Sequence, residues 1–533
     1  MRRFHSYGPV DSEEHFFVER DELINICTNQ LVGNPDKIGH FFTIWAPRQT
    51  GKTWITRKTV LQIQKMYADT FIVGYISMEP FHLDNDDDKY SNTHFFKTFQ
   101  KELNLTFDFN LSEISSWYQW LEIFEKRNEV FNKPLILLID EFDKLPTHVI
   151  DNLVSKFRHM YLKNQNYVLH GLALIGVRAV LGVDSQKGSP FNIQRSVHIP
   201  NLTFEEVQKM FNDYQSESGQ EIEPQVVKQL FKTTNGHPGL VSWFGELITE
   251  KYNKTPQKTV DINQWKKIYT RSINIEHNNT VLNMIIKAKT EYKSHLIQLF
   301  KTPNMPFTFA ADWCNYMYMN GLISYTEIET EDKISHICCF SNPYVQDTLY
   351  SVFVEEIQND HNQDILPLEP TDFLEDVFHN ANLNIPALLK RYKGFLKRLT
   401  ESGHNPWKDQ PRRKTDYHLT EAVGHFHLYF WLKMTLDDVC VIIPEFPTGN
   451  GKVDLHMKCK QDKTGLIEVK SFVNPLKLND AIIQASEYAK QTSYSEITIA
   501  MFAPFTDDEV LNQISMEKTI NNVKVNVVAI GQG

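Results

Sequence analysis

A short apolar run, FFTIWA at 41–46, breaks into Pro47-Arg48-Gln49-Thr50-Gly51-Lys52-Thr53 and passes directly into a helical pattern, which leaves this chain few folds to choose from. A buried strand that turns into a helix presents the unpaired N–H groups of the helix start at the turn. Those groups and the helix dipole attract phosphate. Gly51 permits close backbone approach, Lys52 sets a positive charge on the β- and γ-phosphates, and the Thr53 hydroxyl can ligate Mg²⁺. Ala46 stands where such loops carry glycine, and it asks for a permissive backbone there.

A second element supports the first. PLILLID (134–140) is an apolar strand that ends in Asp140-Glu141, where one carboxylate can hold a metal shell and the next can polarise water. Two more strands are expected at TFIVGYISM (70–78) and HGLALIGV (170–177), separated by helical stretches. Strands alternating with helices predict an α/β fold with a parallel sheet covered on both faces. The loop is thus read as a P-loop with ATP and Mg²⁺ as its ligands. Ala46, Pro47, Arg48, Gln49, Thr50, Gly51, Lys52, Thr53 and Asp140 would bind the nucleotide, Thr53 and Asp140 the metal, and Glu141 would be catalytic.

With 533 residues the chain is too long for one core. Hydrophobic residues at 41% and charged residues at 23% predict a soluble globular protein. No apolar run reaches the roughly 18 residues of a membrane helix, and MRRFHSYGPVDSEEH lacks the apolar core of a signal peptide. Cysteines 27, 314, 338, 339, 440 and 459 form no CxxC pair. They are expected to be reduced thiols of a cytoplasmic protein, with no membrane partner. Expected divisions are an ATPase core at 1–200, a helical lid at 201–275, a winged-helix-like segment at 276–358, a polar linker at 359–370 and a C-terminal domain at 371–533.

Residues 1–250 resemble the AAA-like P-loop ATPases related to origin-recognition and STAND proteins, on FVERDEL, APRQTGKT, LLIDEFD, LALIGVR and TNGHPGL. The resemblance implies that Glu19 and Arg20 border the adenine, that Arg178 ends a sensor strand, and that His237 and Pro238 approach the base. Arg158 and Arg195 are the arginines considered for a finger role.

The C-terminal half holds a second constellation. Asp454 in GKVDLHM and Glu468 in TGLIEVK lie on successive strands, and Lys470 follows Glu468 on the same face. Two carboxylates and a lysine at one sheet edge can hold Mg²⁺ or Mn²⁺ and stabilise a phosphodiester under attack. The order helix–strand–strand–strand–helix across about 415–502 resembles the PD-(D/E)XK nucleases. That resemblance adds Glu421 to the metal set of Asp454 and Glu468, makes Asp454, Glu468 and Lys470 catalytic, and matches Gln484 and Tyr488 to the helix that follows. Val453 stands where the family often has proline. His418, His425 and His427 are expected to be packed or surface groups.

The net charge of −11 argues against nucleic acid coating the whole surface. It leaves a basic stretch of Lys390, Arg391, Lys393, Lys397, Arg398, Lys408, Arg412, Arg413 and Lys414 to grip phosphates. The combined expectation is an ATP-regulated DNA endonuclease, DNA being favoured over RNA. The pairing of an ATPase with a nuclease suggests defence against phage or mobile elements. The alternative is a signalling or DNA-remodelling ATPase whose nuclease-like domain only binds nucleic acid or a protein. A protein trigger and self-association into a homo-oligomer stay open.

Overall fold

The computed structural model describes the chain except residues 9, 82–87, 177–195, 255–257, 277, 303–304, 331–332, 361–365, 379–381, 409, 414–415, 417, 437–438, 448–451, 461–462 and 533. For 88–90, 274, 301, 330, 333, 353–360, 445–447 and 452–453 only the backbone is described. Two compact units emerge: one of 1–222, 236–260 and 319–321, the other of 223–235, 261–318 and 322–533.

The first unit is built on five strands, β1 (Phe41–Trp45), β2 (Ile72–Ser77), β3 (Leu135–Asp140), β4 (Leu169–Gly176) and β5 (Ser196–His198), in the order β2-β3-β4-β1-β5. All pairings are parallel. A parallel sheet needs covering on both faces, and β3 shows how one strand serves two cores. Leu135, Leu137 and Ile139 enter a cluster with Phe95, Phe99, Leu153 and Phe157. Ile136 and Leu138 enter another with Ile24, Leu31, Ile55 and Ile63. Every residue of β3 and β4 is buried, so these runs carry no polar alternation. The helix Phe204–Ser218 begins with a reciprocal capping box between Thr203 and Glu206, each satisfying the other's backbone N–H.

The second unit gathers the helices Pro224–Thr234, Ile262–Asn274 and Asn279–Lys301, then an antiparallel hairpin of β6 (Ile323–Thr330) and β7 (Lys333–Phe340), then the helix Pro343–Asp360. Two helices of the stretch 201–275 thus group with this unit, and the chain passes between units more than once. Beyond it stands a mixed sheet of β8 (Cys440–Pro447), β9 (Lys452–Cys459), β10 (Thr464–Ser471), β11 (Glu496–Ala503), β12 (Met516–Ile520) and β13 (Val523–Gly531), ordered β12-β13-β11-β10-β9-β8. β8, β9 and β10 run antiparallel, and β10, β11 and β13 are parallel. The end of the expected linker is tied down: Arg398 bonds the carbonyls of Leu366 and Pro367 and the carboxylate of Glu369.

One expectation is corrected here. Cys440 and Cys459 face each other across the β8–β9 ladder and form a disulfide. Their separation of 19 residues shows no motif, because only the register of two strands brings them together. Cys27, Cys314, Cys338 and Cys339 remain thiols. Protein denatured without reductant should therefore titrate four thiols with a chromogenic disulfide and six after reduction; six at the outset would refute the pairing.

Candidate functional site

The loop from Ala46 to Thr53 connects β1 to the helix Lys52–Met66, so its position is set by a strand buried at the sheet centre. Gly51 has φ 93°, in the left-handed region, and the space its missing side chain would fill is open to a ligand. Ala46 is fully buried beside Ile44 and Ile55 and has no positive φ. The first position therefore demands no glycine, which accounts for the departure from the usual loop.

Lys52 Nζ donates to the carbonyls of Ala46 at 2.9 Å and Pro47 at 2.7 Å. Burial pulls its pKa down to about 8 against the opposing pull of Asp143, Asp140 and Glu141. Asp140, at the end of β3, is 4% exposed and its carboxylate is fixed by three donors. Oδ1 accepts the Glu141 N–H at 2.8 Å, while Oδ2 accepts the Tyr75 hydroxyl at 2.6 Å and the Thr53 hydroxyl at 3.2 Å. Glu141 adopts φ 55° and turns away from the strand, with Lys144 at 3.6 Å. Burial raises the pKa of Glu141.

Two contributors were not legible in the sequence. Tyr75 comes from β2, whose Ser77 lies in register with Asp140, and only strand order shows that β2 neighbours β3. Asp143 places a buried carboxylate oxygen near the loop lysine, in space that Gly176 leaves free; a Cβ there would sit 2.5 Å from Asp143 Oδ1.

The turn at NGHPG docks on the loop. His237 caps the helix Pro238–Glu246 by accepting the Leu240 N–H at Nδ1, so Nε2 carries the proton and donates to the Arg48 carbonyl at 3.1 Å. The Gly239 N–H donates to the Gln49 carbonyl at 3.0 Å. Beside Thr50 and Gly51 opens a largely apolar cavity lined by Phe16, Val18, Arg20, Trp54, Pro238 and Ser242, among others. Arg20 lines it, held by Glu206 and the Pro200 carbonyl. Glu19 is exposed and does not. Arg158 is exposed on the helix Thr147–Leu162, and Arg178 and Arg195 lie outside the described residues.

In the second unit, the β9–β10 register ends at Leu455 and Ile467, one residue short of Asp454 and Glu468. Asp454 Oδ2 instead accepts the Val469 N–H at 2.6 Å. Glu468 is 2% exposed, and burial followed by the charge of Asp454 pushes its pKa up. Lys470 Nζ lies 2.9 Å from Glu468 and 3.2 Å from Glu421. Burial opposes the charge on Lys470, yet Asp454, Glu468 and Glu421 raise its pKa. Glu468 Oε2 is buried without a hydrogen-bond partner, an orphan that a cation would satisfy. Among the described residues no group of three His, Cys, Asp or Glu side chains stands close enough to hold a metal ion; Glu421 turns to Lys470 instead. Gln484 donates to the Tyr488 hydroxyl at 2.7 Å. Gln484, Lys470, Glu421, Arg413 and Lys477 line one cleft.

The basic stretch is divided. Arg391 is bound to Asp376 and the Phe373 carbonyl, Arg398 to Glu369, and Arg413 to Asp416 and the Phe472 carbonyl. Lys390, Lys397 and Lys408 are exposed, and Lys414 lies outside the described residues. Three of its arginines thus brace the fold.

A central parallel sheet with a phosphate loop after β1 and an acidic pair ending β3 defines a P-loop ATPase. Residues 5–299, more than half of the 533, match the AAA-like domain family, and the chain belongs to that family. It is similar to the Walker-type ATPase PABY2304 of Pyrococcus abyssi, with 12% identity and TM-score 0.44 over 66% of this chain and 98% of that one. The Aeropyrum pernix ORC1 protein, solved in complex with DNA, matches at 10% identity and TM-score 0.32 over 64% and 94%. The Thermotoga maritima RuvB Holliday junction branch migration motor matches at 13% and 0.31 over 61% and 95%. No curated protein matches the chain. No helix among the described residues is long and apolar enough to cross a membrane.

Two outcomes are expected. Tyr75→Phe removes a hydrogen bond to a charged group and should lower ATP turnover about tenfold or more, with a raised Mg²⁺ requirement and little change in metal-free ADP binding; an unchanged Mg²⁺ titration contradicts this. Burial holds His237 down to about 4 from 6.5, so the unfolded chain takes up that proton first and stability falls as pH drops from 6.5 towards 4. Urea melts at pH 7 and 4.5 should show a smaller acid loss in His237→Asn than in wild type, by up to about 3 kcal/mol.

Proposed function

We propose that this AAA-like ATPase uses its nucleotide state to control a metal-dependent nuclease in its C-terminal domain, with DNA as the substrate. The observation that carries the reading is the buried Glu468, whose orphaned Oε2 stands with Asp454 and Lys470 at one end of the β9–β10 ladder. A mostly buried lysine beside an almost fully buried glutamate is a costly arrangement for stability alone. It is chemically useful where a phosphate must be polarised.

In this reading Asp454 and Glu468 would hold Mg²⁺ or Mn²⁺, with Glu421 as a further acid beside them, and the ion would supply activation of water and charge neutralisation at a phosphate oxygen. Lys470 donates to a non-bridging oxygen as charge develops there, and Gln484 with Tyr488 orders the cleft wall. Exposed Lys390, Lys397 and Lys408 add non-specific phosphate attraction. At the other site Lys52 would contact the phosphates, Thr53 and Asp140 would hold Mg²⁺, and Glu141 would orient the attacking water. The division into core, lid, winged-helix-like segment and C-terminal domain belongs to the same proposal, as does a role in defence against phage or mobile elements.

The test is cleavage of plasmid and single-stranded DNA with Mg²⁺ or Mn²⁺, with ATP, a non-hydrolysable analogue or neither. Asp454→Ala and Lys470→Ala should each lower cleavage by about 10²-fold or more while ATP hydrolysis persists. Glu141→Gln should bind ATP and stop hydrolysing it. Wild-type silence under every condition would favour an ATPase whose C-terminal domain only binds nucleic acid or a protein.

A further inference from the structure

Glu421 opens the helix Glu421–Leu436, and one turn later the same helix carries His425, 7% exposed and turned into the unit. Its ring is bonded at both nitrogens. Nε2 lies 3.1 Å from the backbone carbonyl oxygen of Asp454, and Nδ1 lies 3.3 Å from the hydroxyl of Tyr350. A carbonyl oxygen can only accept, so Nε2 carries a proton and His425 donates to Asp454; in the neutral ring the Nδ1 lone pair then receives the Tyr350 O–H.

On its β8 side Asp454 is framed by the ladder, between Val453 opposite Phe446 and Leu455 opposite Pro444; on its β10 side it lies just past the last paired residue, Leu455, and is placed by bonds other than that ladder. Its carboxylate takes the Val469 N–H and its carbonyl takes His425, one bond at each end of the residue. Tyr350, 2% exposed, belongs to the helix Pro343–Asp360 that follows the β6–β7 hairpin. Its ring packs edge-on to Tyr429 at 4.9 Å and against Phe426 at 5.5 Å, both on the His425 helix. A displacement of the helix after the hairpin therefore acts on the same ring that holds Asp454.

We infer that His425 is a positioning residue for the Asp454 carboxylate, and that Tyr350 makes its grip depend on the helix Pro343–Asp360. This rests on Asp454 and Glu468 being the metal site proposed above. Through it, a change in the hairpin segment is felt at the metal-binding acid without any group of that segment touching the substrate. The bland role for a buried histidine is to fill volume, and two amide replacements separate the roles. In His425→Gln the longer side chain places an N–H near the position of Nε2. In His425→Asn the shorter one ends near the position of Nδ1 and cannot reach the Asp454 carbonyl.

The experiment is Mn²⁺ binding to the nucleotide-free full chain, followed by paramagnetic resonance of the free ion, for wild type, Asp454→Ala, His425→Gln, His425→Asn and Tyr350→Phe. Outer-shell support of a ligand is worth about 10–100-fold in metal affinity. His425→Asn is expected to weaken the Asp454-dependent binding by about tenfold, and His425→Gln to recover it to within about threefold of wild type. Tyr350→Phe, which keeps the ring and its packing, is expected to weaken it by about threefold. Equal affinities of the two His425 variants, or wild-type affinity in Tyr350→Phe, overturn the inference while leaving the metal site standing. Identical binding by wild type and Asp454→Ala overturns the metal site and the inference together. Should His425→Asn fail to fold, the comparison of wild type with Tyr350→Phe decides alone.

Discussion

The carboxylate of Asp140 is where the first unit's architecture and its chemistry meet. It ends a strand buried on both faces and is itself almost wholly buried, so its polar oxygens are tolerated there only because donors surround them. Those donors come from three places: Tyr75 on the neighbouring strand, Thr53 on the helix after the phosphate loop, and the N–H of Glu141 in its own turn. A shift of strand register, of the loop helix or of the turn breaks one of the three. The two apolar clusters on either side of the sheet thus fix a polar centre that the interior would not otherwise tolerate.

The NGHPG turn adds a restraint from outside the sheet. His237 and Gly239 donate to the carbonyls of Arg48 and Gln49 and so pin the backbone of the phosphate loop. Gln49 in turn reaches the Ser6 carbonyl, so the N-terminal segment, the loop and the turn at His237 share one set of bonds. Lys52 rests on the loop's carbonyls, and burial holds its proton loosely; a polyphosphate offers it a stronger partner.

The second unit repeats the problem of a buried charge with a different solution. Glu468, Lys470 and Glu421 form a chain of ion pairs, and Asp454 is held by backbone groups and by His425. The histidines of the first helix of that domain are partly the packing groups their sequence suggests: His427 meets the Tyr392 hydroxyl at 2.7 Å. His425 differs because its partner is the backbone of an acid at the end of a ladder. Arg391, Arg398 and Arg413 of the basic stretch are taken up by carboxylates and carbonyls of their own unit, which a count of charges along the chain does not reveal.

Much of the ATPase half was readable from the chain because its signals are local. The phosphate loop, the acidic pair after LILLID and the apolar strands depend on residues a few positions apart, and β3 alternates between two cores as any doubly covered strand must. In the C-terminal half the apolar strands were legible, whereas β12, with three exposed residues in the middle of MEKTI, carries no apolar pattern and exists because β13 offers it an edge. What tertiary structure alone decided are the pairings between distant positions: Tyr75 on Asp140, Cys440 with Cys459, and Tyr350 through His425 to Asp454. Each depends on strand order, register or helix packing. Sequence spacing does not encode these, because they arise when separate apolar surfaces are buried against one another.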